Sequence, residues 1–538
     1  MTTAYGKDFE VKEATTYKEN SDDVDHIKIS ADQVSHDYQS DIDVPNNKTT
    51  LTLNDDLWKQ VTQMNDANLL GSLTYTTKAQ QPFKIAYDYT KNGNIVQTDV
   101  NGQVSSFVYD ANDQLTKEIL PDGTINTYDY DAVGNRTASE VNGEKATFTY
   151  NDANQIATKN ETAYTYDKDG NLLQDENYKY TYNQQQRLTK VTTLDDQIIA
   201  SYTYDENGLR LTKTVGDTTH EYFYNGEVLD MEIVKVKDVV TEYRSYEWNG
   251  YTPLGMIIKK QNESGTFETN AYQFITNHRG DVLSIRDSED QEVGAYTYDA
   301  YGNVLTVEGD LAKVNPIRYA GYYYDDETKN YYLQARYYNP ANGAFLELDP
   351  HPGDDDEPLS QNGYTYGDNN PIVKIDPDGN DAMIIIAKKA AGLQGHMSLL
   401  LKIKGSWYYF YFGAATNLMF GKSTVVLKKV KLPKKLSQVN NAVGYSKEYT
   451  TSFYISGNFD KAYSYVKTVK KNKPYYSVLR NNCGDMSINA LLASMQYSQN
   501  ALTASKVYSL KKLQKRSMRP NGMVGPLKNI FGSPKYKR

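Results

Sequence analysis

YAGYYYDDETKNYYLQARYYNPANGAFLELDPHPGDDDEPLSQNGYTYGDNNPIVKIDPDGN, running from Tyr319 to Gly379, separates two parts of opposite character. Before it the chain is acidic and full of tyrosine; after it comes a basic stretch holding the only cysteine. Of the 58 Lys and Arg residues, 27 lie in residues 381–538, against four of the 68 Asp and Glu residues. That leaves 31 basic and 64 acidic residues in 1–380, so the two parts carry net charges of +23 and −33. Segregation this strong calls for either an acidic part that holds the basic one or an anionic target for the basic part. The 538 residues exceed what one core organises, so two or three domains are expected. A single cysteine excludes intramolecular disulfides.

Outward from that stretch, toward the N-terminus, a degenerate repeat fills the chain. Tyr109-Asp110, Tyr130-Asp131, Tyr150-Asn151, Tyr166-Asp167, Tyr182-Asn183, Tyr204-Asp205, Tyr224-Asn225 and Tyr298-Asp299 mark its units, several followed by Gly-Asn as at Gly134-Asn135, Gly170-Asn171 and Gly302-Asn303. Each unit reads as a Tyr/Thr alternation, a turn of Asp or Asn with Gly, and a short strand. Tyrosine and threonine fit a pleat, and one hairpin cannot bury its own face, so neighbours must stack into a continuous curled sheet. Forty-nine tyrosines against 14 phenylalanines suit a sheet with wet faces, because each ring brings a hydroxyl that needs a partner. Sugar binding by stacked tyrosines is the alternative use of such rows.

The run Tyr331-Tyr332-Leu333-Gln334-Ala335-Arg336-Tyr337-Tyr338-Asn339-Pro340, with Gly343, Phe345, Asp349-Pro350 and Asp376-Pro377-Asp378-Gly379, strongly resembles the core-associated segment of RHS/YD-repeat proteins. The resemblance implies a mainly β fold, a YD-repeat hairpin spiral forming a shell, short enough here that its closure is open, followed by a variable effector that is often a toxin. The expected organisation is an acidic N-terminal segment (1–84), a YD-repeat β-shell (85–318), the core-associated segment closing it (319–379) and a basic effector domain (380–538). The resemblance further implies that Asp349 and Asp376 cut the chain just after the second Asp-Pro motif, one carboxylate as base and the other as acid. Here an acidic insert, Asp354 to Glu357, lengthens their spacing, and Leu348 stands where an arginine often precedes the first aspartate. Without the resemblance, both Asp-Pro pairs read as turn caps.

The basic part opens with the apolar strand Met383-Ile384-Ile385-Ile386, and a hairpin follows over Gly405-Ser406, with His396 at its outer start. A further strand pair is expected at Ser423–Val430 and Tyr449–Ile455, then a helix from Asn458 with Phe459, Ala462, Tyr463 and Val466 on one stripe. A second helix is expected at Cys483, capped by Asn482, because Ile488, Leu491, Leu492 and Met495 keep helical spacing. A thiol at a helix N-terminus meets the positive end of the dipole and free N–H groups. His396 and Cys483 are the only histidine and cysteine of this part, and their order is similar to that of permuted papain-like (NlpC-type) cysteine hydrolases. On that resemblance the domain is a small α+β hydrolase, Cys483 its nucleophile and His396 its base, with Asn481 and Asn482 near the oxyanion. Tyr409, Tyr411 and Asn417 are the candidates for a third polar residue. A buried inert cysteine is the plainer alternative.

One Cys and one His cannot fill a zinc site, and no phosphate-cradling glycine loop is present, so neither metal nor cofactor is expected. No apolar run is long enough to span a membrane, and Met1-Thr2-Thr3-Ala4-Tyr5-Gly6 opens no signal peptide; another machine exports the chain or it belongs to a longer one. The sequence reading is a secreted toxin of interbacterial competition, acting in or on a target cell and opposed by an acidic immunity protein. Its alternatives are a nuclease toxin, which the charge of +23 favours but four carboxylates (Asp381, Glu448, Asp460, Asp485), one His and no metal-ligand pattern disfavour, and a surface-adhering or sugar-binding YD-repeat protein.

Overall fold

The computed structural model describes residues 2–349 with short gaps, then 358–376. Beyond these it describes 381–387, 396–403, 406–414, 420–421, 423–430, 451–456, 466–467, 476–477 and 536–537. The chain forms two units, Met1–Pro352 with Asn362–Asp376, and Gly353–Gln361 with Pro377–Arg538.

The first unit is built from two large antiparallel sheets and a four-stranded one, from Tyr323–Asp325 to Ala344–Phe345, in all of which every strand pairs with its neighbours in sequence. One large sheet has 16 strands, from Thr2–Ala4 to Thr162–Ala163; the other has 14, from Thr165–Tyr166 to Val304–Glu308. The turns explain this order. In the turn after Tyr130, Asp131 Oδ1 accepts from the backbone N–H groups of Val133 and Asn135. Asn135 Nδ2 donates to Asp131 Oδ2, and Gly134 supplies a φ of 82°. The same bonds recur at Asp167 and Asp299. A short carboxylate or amide side chain thus closes the loop, and glycine or asparagine takes the left-handed position.

The tyrosine of each pair has a second task. A register shift at the tyrosine aims its hydroxyl at the first residue of the preceding hairpin's strand. Tyr109 donates to the Ile95 carbonyl (2.6 Å), Tyr130 to Leu115 (2.7 Å), Tyr150 to Arg136 (2.9 Å), Tyr224 to Arg210 (3.0 Å) and Tyr298 to Val282 (2.9 Å). That bond is why these positions are tyrosine and not phenylalanine: the ring is half-buried, and its hydroxyl satisfies a carbonyl that the ladder leaves over.

The N-terminal segment does not stand apart. Strands from Glu10–Tyr17 to Leu70–Thr77 continue into Phe83–Tyr89 without a break in pairing, so the sheet crosses the expected boundary at residue 84. The apolar positions of these strands were illegible in sequence because they are spent on a remote partner. Phe9, Val11 and Ala31 pack with Met231, Ile233, Tyr243, Ile257 and Ala271. Along the same seam His36 Nδ1 lies 2.6 Å from Glu247 Oε2, and Tyr75 donates to the Thr276 carbonyl at 2.5 Å.

Residues 319–376 then lace the turns together. Arg187 donates to the Ala335 carbonyl, and Tyr364 to the Gly170 carbonyl. Asn362 donates to Asn135, Asn369 to Gln114 and the Gly134 carbonyl, and Asn370 to Asn94. Tyr319, Tyr331, Tyr338 and Tyr366 form its fully buried aromatic core.

In the second unit a six-stranded antiparallel sheet runs in the order Ser423–Val430, Ser406–Ala414, His396–Ile403, Asp381–Ala387, Thr451–Ser456, Tyr536–Lys537. The expected hairpin is present. The expected pairing of Ser423–Val430 with the strand near 450 is not, since three strands lie between them. The apolar strand Asp381–Ala387 takes an interior place, as a continuous hydrophobic run favours. Tyr409 and Phe410 are both buried, so both faces of their strand are covered. Of the two expected helices, only helical turn at 466–467, with Val466 buried, lies among the described residues. No helix among the described residues is long and apolar enough to cross a membrane.

Candidate functional site

A tight turn with Gln334 at φ 63° joins Asn330–Tyr332 to Tyr337–Asn339 and sets Arg336 at the start of the second strand. Its guanidinium stacks 3.6 Å above the Phe345 ring, and the side chain is 8% exposed. From there Nη2 reaches Asp349 Oδ2 and Asp376 Oδ2, each at 2.9 Å. The two aspartates, 27 residues apart in sequence, therefore sit within two hydrogen-bond lengths of each other. Backbone contacts hold both: Asp349 N–H donates to the Gly363 carbonyl, while Tyr322 Oη accepts from Asp376 N–H and donates to the Asp376 carbonyl. Their carboxylates are 30% and 26% exposed, open to water but shielded by the protein on most sides. One guanidinium between two carboxylates cancels one of their two charges, which is what permits the close approach.

Leu348 precedes Asp349, and the arginine that meets the Asp349 carboxylate is Arg336, thirteen positions earlier. Glu347, two residues before Asp349, is buried and accepts from the Tyr337 N–H; burial pushes its carboxyl up to about 7. Of the other expected site residues, His396 begins the strand His396–Ile403, its Cα opposite Ala387. Tyr411 lies on the adjacent strand Ser406–Ala414, opposite Val426. Asn481, Asn482 and Cys483 lie outside the described residues.

Two arginines carry a signal that was present in the sequence but unread. The position following each turn points inward and is apolar at Ile95, Leu115, Ile156, Leu172, Leu188 and Val282. At Arg136 and Arg210 it is a buried cation. Arg210 meets Asp325 Oδ2 at 2.6 Å, and Lys213 meets Asp325 Oδ1 at 2.9 Å; all three side chains are buried. Among the described residues no group of His, Cys, Asp and Glu could hold a metal ion.

Residues 37–372 match the family described as Teneurin YD-shell. The chain belongs to that family. This YD-shell chain is 39% identical over 280 residues to the tRNA3(Ser)-specific nuclease WapA of Bacillus spizizenii, a match covering 52% of the chain and 12% of that protein. It is 24% identical over 265 residues to Double-stranded DNA deaminase toxin A of Burkholderia cenocepacia, covering 42% of the chain and 17% of that protein. Its fold is like that of a chain in the Tc holotoxin pore of Photorhabdus luminescens, with TM-score 0.57 and 18% identity over 69% of this chain and 20% of the other. The YD-shell chain thus spans only a small part of its relatives.

The mainly β shell expected from the repeats is present, and relatives with this shell include named toxins. The papain-like cysteine hydrolase is not supported: the relatives are named a nuclease and a deaminase. The physical weakness of that expectation was its narrow base. It rested on one thiol and one imidazole, and neither explains a charge of +23 on the same stretch.

Proposed function

We propose that this chain is an RHS/YD-shell toxin of interbacterial competition in which residues 381–538 are a nuclease acting on RNA. The observation that carries this is the charge segregation: +23 on 158 residues, beside an acidic shell sequence. A phosphate backbone rewards clustered Lys and Arg by counterion release, whereas cleavage of a neutral amide or ester does not need them. The names of the WapA relatives point the same way. RNA carries its own nucleophile. Its 2′-hydroxyl attacks the adjacent phosphorus, a base takes the hydroxyl proton, the 5′-oxygen leaves with a proton, and cations stabilise the pentacovalent charge. His396, the one histidine of the domain, is the candidate acid–base residue, and Lys and Arg side chains are abundant for the remaining task. A base deaminase would use a zinc site of one His and two Cys or of three Cys, which one histidine and one cysteine do not supply. An acidic immunity protein is the partner that such a surface requires in the producing cell.

Purified full chain incubated with total tRNA is expected to fragment it, with a rate that falls steeply as salt rises. His396→Ala is expected to slow cleavage by about 10²-fold or more, while Cys483→Ala retains it. Intact tRNA under the parent protein, or base conversion without strand scission, would overturn the reading.

The junction supplies release. Asp349 and Asp376, joined at Arg336, fit a pair in which one carboxylate activates water and the other protonates the leaving amine, so that water adds across one peptide bond after Gly379. Prolonged incubation of the full chain is expected to give two bands on a denaturing gel, and Asp349→Asn or Asp376→Asn a single band. One band from the parent would remove the junction from the proposal without touching the nuclease.

A further inference from the structure

The inward slot after each turn holds arginine twice, and the two arginines are provided for differently. Arg210 has Asp325. Arg136, 4% exposed, has no carboxylate within ion-pair distance among the described residues, and its Nε, Nη1 and Nη2 make no well-formed hydrogen bond, although the Tyr301 hydroxyl lies near. The guanidinium lies 3.9 Å above the Tyr301 ring and 4.8 Å from that of Tyr128. Ring faces offset part of a buried positive charge but leave its N–H groups unbonded. The nearby carboxylate of Asp299 is occupied, its oxygens accepting from Asn303 Nδ2 and from the backbone N–H groups of Tyr301 and Asn303.

Arg136 borders a cavity of about 20 Å³, lined by the turn at Gly134-Asn135 and by the segment that laces the turns. Asn342 and Gly343 of that segment, with Tyr150 and Asn154 of the repeats, also line it. Gly343 is at φ 63°, and a Cβ there would stand 2.1 Å from Arg136 Nη2, so the chain approaches the guanidinium as closely as backbone can. A cavity of this size takes one particle about as large as a water molecule.

We propose that Arg136 binds a small inorganic anion of chloride size, held between the repeats and the lacing segment. The anion accepts the unbonded N–H groups and supplies the counter-charge that Asp325 supplies to Arg210. It lies in the first unit and stands or falls independently of the proposed activity.

Thermal unfolding of the full chain in sodium chloride, compared with sodium gluconate at the same ionic strength, tests it. A midpoint that rises and saturates with chloride, and with bromide, is expected, since gluconate is too large for the cavity. Arg136→Met is expected to unfold at one temperature in both salts. Should that variant fail to fold, bromide-soaked crystals of the parent provide the second measurement, with an anomalous peak expected beside the guanidinium. Equal midpoints in the two salts, or a peak absent and only water bound, would overturn the site.

Discussion

Asp325→Ala is expected to lower the stability of the first unit by about 3–5 kcal/mol, read as a drop in the urea midpoint. Asp325 is fully buried and is the meeting point of Arg210 at 2.6 Å and Lys213 at 2.9 Å. Deleting it leaves two cations enclosed among aromatic rings: Arg210 lies 4.4 Å from the Tyr332 ring and 4.8 Å from those of Tyr222 and Tyr323. Glu327, 3.2 Å from Lys213, can take over only one of them. The loss is therefore the cost of uncompensated burial rather than the worth of the pair. Replacing all three charges at once, by Arg210→Met, Lys213→Met and Asp325→Leu, is expected to cost much less than the single change. A triple variant as unstable as Asp325→Ala would refute that account. Acid should act in the same direction. Burial works against the charged form of Asp325, but Arg210 and Lys213 outweigh it and hold its carboxyl below the usual range. Its contribution is present above the ordinary aspartate value and is lost as pH falls through the lowered one.

Base is expected to weaken the first unit through a different set of carboxyls. Burial, then the neighbouring Asp299, pushes Glu118 up to about 8, and burial pushes Glu347 up to about 7. Both keep a proton in the folded state that the unfolded chain gives up near 4.5. The folded state binds more protons across that interval, so stability falls as pH rises from about 4.5 to about 8 and levels off beyond. Each unit of separation is worth about 1.4 kcal/mol, making the combined effect several kcal/mol in scale. Glu118→Gln keeps an oxygen for Asn126 and the Ala300 N–H, and Glu347→Gln keeps one for the Tyr337 N–H. The double variant is expected to show a flatter profile of urea midpoint against pH between 5 and 8 than the parent. An unchanged slope would mean that these carboxyls are ionised in the fold.

Much of this was legible in the chain itself. Asp131 with Gly134-Asn135 is a turn because the side-chain bonds that close it span four residues, a distance that sequence displays directly. Partners far apart in sequence were not legible. Nothing near Phe9 or Val11 announces Met231 and Ile257, so the N-terminal strands looked like an irregular segment. Arg336 stood in the very run that identified the shell. Its role became visible only when Asp349 and Asp376 arrived beside it from opposite ends of a long excursion. The hydrolase expectation failed for the opposite reason: a local pattern around Cys483 was allowed to outweigh a charge distributed over the whole domain.

The lacing segment has a temporal consequence. Its bonds to Asn94, Gln114, Gly134, Asn135, Gly170 and Arg187 are made by residues 335–370, which leave the ribosome after all the repeats they tie. Synthesis proceeds from the N-terminus, so the sheets can curl as they emerge with successive turns already joined, as Asn94 is to Asp113 and Asn135 to Asn154, while the ties from residues 335–370 wait until that late stretch is out. The basic residues come next. The stretch that ties the repeats is thus the last part of the first unit to be made, and a ribosome that stalls before it leaves the repeats without those ties.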